Sequence, residues 1–368
     1  MKHPLRRPRI VLGKKTAPKI YRADYKLLAV PKTIELVTEG VKMSKEFRLE
    51  KYLGVLGYKE NYTIPLNETA LKGYVTDELA KQLDPKTTGP HQRIQVEDMI
   101  SQFPSDGKDC LGLYRAGDMT CNFTVPTLTK NRIINEPRPG NNILTYICKH
   151  RHWEGVVRQM EDKTYIPWHN KKNKAIWRGA QTNRFTPANP RLVLVKRFIH
   201  HEKIDAGFVN VLWMEVDNFS KKYIKGSRMS IAEMLTYKYI ISLEGNDIAT
   251  NLSWILYSNS LVIMPVPIRE TWLLESCLIP WVHFVPISAT LDDLEEKIEW
   301  CIANDDKCQQ IVENASVYIS NFLDFEEEAK LSTRVMEAYF NRMTFTCNNV
   351  LRQQYSHRVE GKRNVKFI

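Results

Sequence analysis

Apolar residues from position 174 onward recur with two spacings, which predict strands that alternate with helices. Short aliphatic and β-branched runs predict strands at residues 174–177, 239–243, 261–264 and 281–285. Apolar residues at helical spacing predict helices near residue 190 and over 248–256, 291–303 and 325–340. Strands that alternate with helices in this order predict α/β layers around a largely parallel sheet.

The helix predicted over residues 291–303 has a clear apolar stripe. Leu294, Ile298 and Ile302 share that stripe, so Glu295, Glu296 and Lys297 are expected to face outward. Cys301 and Cys308 are seven residues apart, which predicts that they pack on one face of one helix.

The first 165 residues are less regular. They predict a helix at residues 75–83 and a short buried strand at 110–114. The segment Arg115-Ala116-Gly117-Asp118 follows and turns at its glycine. It places Asp118 at the carboxyl end of that strand, where α/β folds gather ligands. The alternative is a turn aspartate that bonds its own backbone.

A polar, proline-containing stretch at residues 161–174 predicts a linker between two domains. The predicted divisions are residues 1–165, residues 166–325, and residues 326–368. The last division would hold a helix that packs back across the first domain and a basic tail.

Charge is concentrated at the two ends of the chain. The formal net charge is +11, with +8 in residues 1–22 and +4 in residues 351–368, so residues 23–350 come to about −1. A near-neutral middle argues against nucleic acid as a partner. Two interpretations of the ends stay open, namely solvated tails and adhesion to an anionic membrane surface.

Composition is that of a soluble globular protein, with 43% hydrophobic and 26% charged residues. No apolar run approaches the ~18 residues of a membrane span, and the basic N-terminus has no apolar core of a secretory signal. Seven scattered cysteines without a Cys-x-x-Cys pair indicate reduced thiols in a cytoplasm.

The turn Glu244-Gly245-Asn246-Asp247, called the glycine turn below, follows a predicted strand and precedes a predicted helix. Unpaired N–H groups at such a turn favour an anion. Neither the P-loop nor the dinucleotide-binding glycine pattern is present. Glu244 and Asp247 would repel phosphate, so either they accept hydrogen bonds from sugar hydroxyls or Asp247 caps the helix.

Two arginines follow the predicted strand at residues 174–177. Arg178 and Arg184 are spaced so that they could clamp a diphosphate, and the alternative is an ordinary surface turn. No histidine pair has metal-ligand spacing, and Asp-x-Asp is absent, so we expect neither a metal nor another cofactor.

Several motifs occur in a fixed order between about residues 174 and 320. They are Arg178-Gly179 with Arg184, Tyr237-Lys238-Tyr239, residues 244–252, Glu270-Thr271-Trp272, residues 280–286, and Asp292 to Asn304. Together they resemble one glycosyltransferase family, which holds bacterial lipopolysaccharide-core enzymes, fungal capsule xylosyltransferases and protein O-glucosyltransferases.

The resemblance implies a GT-B fold, in which two Rossmann-like domains face each other across a cleft. It also implies a UDP-sugar donor, transfer with inversion, and Asp118 as the catalytic base. The donor-binding residues that it implies are Arg178, Gly179, Thr182, Arg184, Lys238, Glu244, Gly245, Asn246, Asp247, Ala249, Thr250, Asn251 and Glu270.

We therefore expect a cytoplasmic enzyme that moves glucose, xylose or galactose from a UDP-sugar to a hydroxyl group. The acceptor would be a lipopolysaccharide-core or other surface glycan, and the basic ends would attach the enzyme peripherally at the inner membrane. Glu244 and Ser253 stand where the protein O-glucosyltransferases carry arginines, which favours the bacterial branch.

The alternatives are a protein O-glycosyltransferase, a glycoside hydrolase and a non-catalytic protein that binds glycan or nucleic acid. A glycoside hydrolase needs two carboxylates that flank one bond and has no use for paired arginines. Release of UDP from a UDP-sugar would separate a transferase from both non-transferase alternatives.

Overall fold

The computed structural model describes most of the chain from residue 43 to its end. The described residues are 43–57, 61–67, 90–104, 109–115, 117–118, 122–134, 140–147, 153–160, 165–182, 189–209, 222–226 and 228–368. The helix predicted over residues 75–83, the basic segment 1–22 and Arg184 lie outside them.

The first half of the chain contributes short elements. They are α1 (Lys45–Leu53), β1 (Tyr62–Pro65), α2 (Pro90–Ile100), β2 (Thr127–Thr129), β3 (Arg132–Ile133), β4 (Asn142–Leu144) and α3 (Glu154–Met160). β2 and β4 pair in parallel, and Tyr114 forms a parallel bridge with Leu128 of β2. The buried segment predicted as a strand at residues 110–114 therefore joins this small sheet through a single bridge.

Strands and helices alternate through the second half, as predicted. The elements are β5 (Lys172–Gly179), α4 (Pro190–Phe198), β6 (Ile204–Phe208), α5 (Ile231–Met234), β7 (Tyr237–Ile241), α6 (Leu252–Tyr257), β8 (Leu261–Pro265), β9 (Arg269–Glu270), β10 (Val285–Ile287), α7 (Leu294–Ala303) and α8 (Asp305–Ile319). A mixed α/β structure with parallel sheets is thus confirmed.

Five of these strands form one parallel sheet in the order β10–β8–β7–β5–β6. The first strand of this sheet along the chain is β5, the next strand is β6 at the adjacent edge, and the chain then crosses to the other side of β5 to form β7. In sheets wound in both directions, a crevice opens at the carboxyl ends of the two strands where the winding reverses. That crevice lies between β5 and β7.

Side chains of the central strands alternate between two buried clusters. Ala175 and Trp177 of β5 pack with residues of α4 and α7, whereas Ile176 belongs to the cluster that includes the first half of the chain. Because both faces of the sheet are covered, the buried residues of β5, β7 and β8 form apolar runs, which is why the sequence pattern predicted these strands. β6, which contains Asp205 and Gly207, was not predicted.

The C-terminal residues return to the first half. Their elements are α9 (Phe325–Arg342), β11 (Met343–Cys347), α10 (Asn349–Gln354), α11 (Ser356–Val359) and β12 (Val365–Phe367). β11 lies between β1 and β12 in a three-stranded parallel sheet, so the two ends of the described chain share one sheet. The three-part division and the GT-B arrangement stay predictions.

Two predicted elements begin later than expected. α6 begins at Leu252 rather than at Ile248, because residues 242–251 form a long turn that is bonded back to β7. The strand predicted at residues 281–285 begins only at Val285 and ends at Ile287. The N–H groups of Val282 and His283 both donate to the carbonyl of Ile279, which makes a turn with Trp281 at a φ of 63°, and β10 follows it.

Two predictions about α7 are also wrong. Lys297 does not face outward; it is buried, and its ammonium lies 3.5 Å from the carboxylate of Asp293. Cys301 and Cys308 do not share one helix, because the chain breaks at Asn304 between α7 and α8. Both cysteines are nevertheless buried, as expected of core packing.

Candidate active site

The carboxyl ends of β5 and β7 lie side by side, with Ile176 opposite Ile240. Gly179 ends β5, and residues 242–251 follow β7. The two segments that the sequence singled out therefore meet at the crevice of the five-stranded sheet.

Asn251 fastens the turn after β7 to the strand that precedes it. Its side-chain amide donates to the carbonyl of Ile241 at 3.1 Å, and its amide oxygen accepts from the Ser242 hydroxyl at 3.0 Å. Asn251, and not Asp247, stands at the N-cap position of α6. The alternative in which Asp247 caps this helix is therefore wrong.

Arg191, from α4, contacts the turn after β7 through the carbonyl groups of that turn. Its guanidinium donates to the carbonyls of Leu243 and Glu244 at 2.8 and 3.1 Å and to the Thr182 hydroxyl at 2.8 Å. A Cβ atom on Gly245 would come within 2.8 Å of the Thr182 hydroxyl and 2.9 Å of the Arg191 guanidinium. Glycine is required here by this close approach.

Arg191 has no carboxylate at hydrogen-bond distance among these partners, and burial lowers its pKa to about 10. Its positive charge remains close to the turn at neutral pH. A guanidinium that binds two carbonyl groups of the turn stabilises its conformation.

Glu244 connects the turn after β7 to residues 268–269. Its carboxylate accepts from the backbone N–H groups of Ile268 and Arg269 and from the Arg269 guanidinium. Burial raises the pKa of Glu244, while the Arg269 charge acts in the opposite direction. The carboxylate that sequence reasoning offered to a sugar hydroxyl thus holds residues 268–269 against the turn.

A buried lysine joins the two halves of the chain at the crevice. The Lys130 ammonium lies 2.8 Å from the carboxylate of Asp118 and 2.7 Å from that of Asp247. Asn131 donates to Asp247 at 3.0 Å, and Asn246 donates to the other oxygen of Asp118 at 3.1 Å. Asp118 therefore lies directly against the glycine turn and bonds side chains distant in sequence.

The three charged groups differ in exposure. The side chain of Lys130 is 8% exposed, whereas that of Asp118 is 45% exposed. Burial opposes the charge of Lys130, but the carboxylates of Asp247 and Asp118 outweigh it and raise the pKa of Lys130. Burial raises the pKa of Asp247, against the opposing effect of the ammonium. The ammonium of Lys130 and the carboxylate of Asp247 lie 2.7 Å apart, so each stabilises the charge of the other. Asp118 is then the accessible carboxylate of this cluster.

A largely apolar pocket adjoins this cluster. The residues around it are Lys130, Thr145, Tyr146, Ile147, Trp153, Ile248, Ala249, Thr250, Leu252, Ser253, Thr271, Trp272, Leu273 and Glu275. Burial raises the pKa of Glu275 to about 7. Apolar and aromatic walls with a few polar groups are typical of a small-molecule site. The predicted residues Ala249 and Thr250 thus lie in its wall.

Arg178 is held at the end of β5 rather than on the surface. Its guanidinium bonds the carboxylate of Asp205 at 2.8 Å and the Asp205 carbonyl at 2.7 Å, and its side chain is 9% exposed. Its Nε–H has no hydrogen-bond partner among the described residues. The second predicted arginine, Arg184, lies outside the described residues.

Two predicted residues have other partners. Lys238 stands at the amino end of β7, away from the turn, where its ammonium lies 2.6 Å from Asp305. Glu270 is buried and bonds Arg132 at 2.7 Å, which joins β9 to β3. The structure therefore does not bring Lys238 to the crevice, and it gives Glu270 a connecting role between the halves.

Sequence reasoning missed Lys130, Asn131 and Arg191. One signal was available for the first two, because Lys130 and Asn131 directly follow β2, just as Asp118 follows the neighbouring bridge at Tyr114. β2 has only three residues, too few for a period to register. Arg191 had no local signal, since it stands in the first turn of an ordinary amphipathic helix.

Two further observations concern the described residues alone. No group of three or more His, Cys, Asp or Glu side chains among them could hold a metal ion. No helix in the described part of the chain is long and apolar enough to cross a membrane.

Comparison with known proteins places these features in a family. Residues 145–361 match the family described as Glycosyl transferase family 90. The chain is 34% identical over 225 residues to O-glucosyltransferase LpsA of Dichelobacter nodosus, covering 61% of this chain and 65% of that protein.

Two animal proteins are more distant. Protein O-glucosyltransferase 1 of Homo sapiens is 28% identical over 165 residues, or 44% of this chain and 40% of that protein. Protein O-glucosyltransferase 3 of Rattus norvegicus is 27% identical over 184 residues, or 50% of this chain and 35% of that protein. The chain thus spans less than two thirds of the length of each of these three relatives.

The match to the family covers more than half of the chain, so the chain belongs to glycosyl transferase family 90. The resemblance drawn from the ordered motifs is confirmed. The glycine turn lies inside the matched region, whereas Asp118 and Lys130 precede it.

Proposed function

We propose that this chain transfers a sugar from a UDP-sugar to an acceptor hydroxyl, with inversion at the anomeric carbon. The observation that carries the proposal is the contact between Asp118 and Asn246, which joins an exposed carboxylate to the glycine turn. A general base must lie within hydrogen-bond reach of the hydroxyl that attacks the donor. The exposure of the Asp118 carboxylate and its contact with the turn after β7 support this role.

The donor would bind at the crevice between β5 and β7. Support comes from family membership, from the position of the crevice, and from Arg191, which contacts the turn after β7. The buried, unpaired Nε–H of Arg178 is a further donor that a phosphate oxygen could accept from. Arg184 stays in the proposal on its sequence position alone.

The chemical step follows from charge. The acceptor oxygen forms a bond to the anomeric carbon, the bond from that carbon to the diphosphate oxygen breaks, and UDP leaves with the electron pair. Asp118 takes the proton of the acceptor hydroxyl. The leaving diphosphate gains negative charge as its bond breaks, and fixed N–H donors and arginines in the crevice would stabilise it.

Glucose is the first sugar to test, because the relatives named above are O-glucosyltransferases. Xylose and galactose follow from the family resemblance. The proposed acceptor is a lipopolysaccharide-core or other surface glycan, and the similarity to protein O-glucosyltransferases supports a protein acceptor as the alternative. Two Rossmann-like domains in a GT-B arrangement and independence of metal belong to the same proposal.

The test is release of UDP from UDP-glucose, UDP-xylose and UDP-galactose in the presence of glycan and peptide acceptors. Asp118→Asn should lower turnover by about 10²-fold or more, because it removes the proton acceptor but keeps the shape of the side chain. UDP affinity, measured by calorimetry on the same preparation, should be retained.

Asp109→Asn is the matched control, since Asp109 is an exposed aspartate on the other side of the bridge at residues 113–114. It should leave turnover unchanged. EDTA should not affect turnover either. Near-normal turnover of Asp118→Asn would remove this residue from the mechanism, and binding of UDP-sugars without turnover would favour a non-catalytic protein.

A further inference from the structure

The buried ammonium of Lys130 holds two carboxylates that come from different parts of the chain. Asp247 fixes it from one side at 2.7 Å, and Asn131, from the same strand end as Lys130, holds Asp247 in turn at 3.0 Å. The exposed partner is Asp118, at 2.8 Å. Asp247 and Asn131 therefore hold the Lys130 ammonium in place independently of its bond to Asp118, the proposed base.

We propose that Lys130 is a positioning residue, which fixes the carboxylate of Asp118 at the crevice and keeps it ionised for proton transfer. This inference rests on the function proposed above. A base has to be unprotonated before the acceptor binds, and an ammonium group within hydrogen-bond distance favours the ionised carboxylate. Its buried position restricts where that carboxylate can lie.

Asp247 gives the arrangement a second property. An ammonium that faced Asp118 alone would make it a weak base, because the proton gained during transfer would be repelled. The carboxylate of Asp247 lies on the same ammonium and offsets part of its charge. The three groups together carry a net charge of −1, which proton transfer to Asp118 would bring to zero. Among the described residues, Arg191 lies close to Asp247, and Glu275 borders the same pocket.

The experiment compares Lys130→Met, the double variant Lys130→Met/Asp247→Asn, and Lys130→Arg in the full chain. Lys130→Met leaves Asp247 buried without its counter-ion and could fail to fold. The double variant removes both members of that buried pair, so it keeps the question answerable. Lys171→Met is the matched control, because Lys171 is also buried but bonds the Leu235 carbonyl and the Ser260 hydroxyl instead of a carboxylate.

Two readouts are needed. The first is the pH profile of kcat for UDP release, with KM for the donor. The second is titration of the Asp118 carboxyl carbon by NMR, assigned through its loss in Asp118→Asn, which does not depend on activity. We expect the double variant to lose about 10²-fold in kcat with a smaller change in KM. In the double variant, the pH at which kcat falls on the acid side and the midpoint of the Asp118 NMR titration should both rise by about one pH unit or more.

Lys130→Arg keeps the positive charge and should keep the wild-type midpoint. Asp247→Asn alone should move the midpoint in the opposite direction, because the ammonium then acts on Asp118 without opposition. An Asp118 midpoint that is the same in wild type and in the double variant would overturn the inference. The inference would also be overturned if the double variant lost no more kcat than Lys171→Met loses. If the wild type releases no UDP from any donor, the proposed function fails, and the midpoint alone decides whether Lys130 controls the charge of Asp118.

Discussion

His283 shows how the environment of a single residue can make stability depend on pH. Its Nδ1 accepts a hydrogen bond from the N–H of Ile279 at 2.9 Å, and the ring is buried in the turn before β10. Burial lowers the pKa of His283 to about 4. The unfolded chain would bind a proton near the ordinary value of about 6.5. The stability that the neutral ring contributes is therefore complete above about pH 6.5 and is lost as the pH falls towards 4.

We expect the free energy of unfolding to fall with decreasing pH more steeply in the wild type than in His283→Asn. The difference in slope should approach about 1.4 kcal/mol per pH unit between pH 6.5 and 4.5, because the unfolded wild-type chain binds one more proton than the folded one. Denaturant unfolding at several pH values measures it. The exposed His169→Asn is the control and should follow the wild-type curve. Parallel curves for the wild type and His283→Asn would contradict the prediction.

At the scale of elements, α1, α9 and the pocket wall are joined by one buried network. Glu328 of α9 forms an ion pair with Arg48 of α1 and accepts from the indole N–H of Trp272, which borders the pocket. The Tyr52 ring stacks on that indole at 3.7 Å between centroids, and its hydroxyl donates to the Trp272 carbonyl. α9 thus supports a wall of the candidate site from a distance of more than 50 residues in sequence.

Glu328→Gln should lower the free energy of unfolding by about 3–5 kcal/mol. The substitution leaves the Arg48 guanidinium buried without a counter-charge, which costs far more than the loss of an exposed pair. Urea unfolding measures the change. Glu327→Gln is the matched control on the same helix, because Glu327 pairs with the exposed Lys45 and Lys330, and its effect should be much smaller. Equal losses in the two variants would mean that the buried network does not hold α9 in place.

At the scale of the whole molecule, positive charge is concentrated in residues 1–22 and 351–368, and the second of these segments includes most of α10, α11 and β12. Residues 1–22 carry +8, while residues 23–350 come to about −1. Each basic residue near an anionic membrane surface contributes about 1 kcal/mol of attraction. Adhesion of the basic ends to an anionic membrane therefore stays a prediction that salt and truncation can test.

Removal of residues 1–22 should weaken sedimentation of the protein with vesicles that contain anionic lipid at about 0.1 M salt. Salt at 1 M, where the Debye length falls to about 3 Å, should abolish the difference between the full and the truncated chain. Vesicles of zwitterionic lipid are the control, and neither chain should sediment with them. Equal sedimentation of both chains at low salt would leave only the interpretation of solvated tails.

Local pattern was sufficient for most of the second half of the chain. The buried residues of β5, β7 and β8 are apolar on both faces of the sheet, so each strand was predicted from a short apolar run, and Pro190 marked the start of α4. The glycine turn was visible because a strand ended just before it. Periodicity could not place Lys297 or the turn at Trp281, because a neighbouring carboxylate and a set of backbone hydrogen bonds decided them.

The sequence by itself thus determined the parallel α/β sheet, the family, and the two segments that meet at its crevice. Only the tertiary structure decided which side chains complete the site. Asp118 reaches Asn246 across 128 residues, and Asn131 reaches Asp247 across 116. Arg191 stands at an ordinary polar position of its helix, and nothing local distinguishes it. Lys130 had only its place directly after the short strand β2. Their roles arise because folding removes them from water beside groups of complementary charge and hydrogen bonding, and the spacing of residues along the chain does not encode which groups those are.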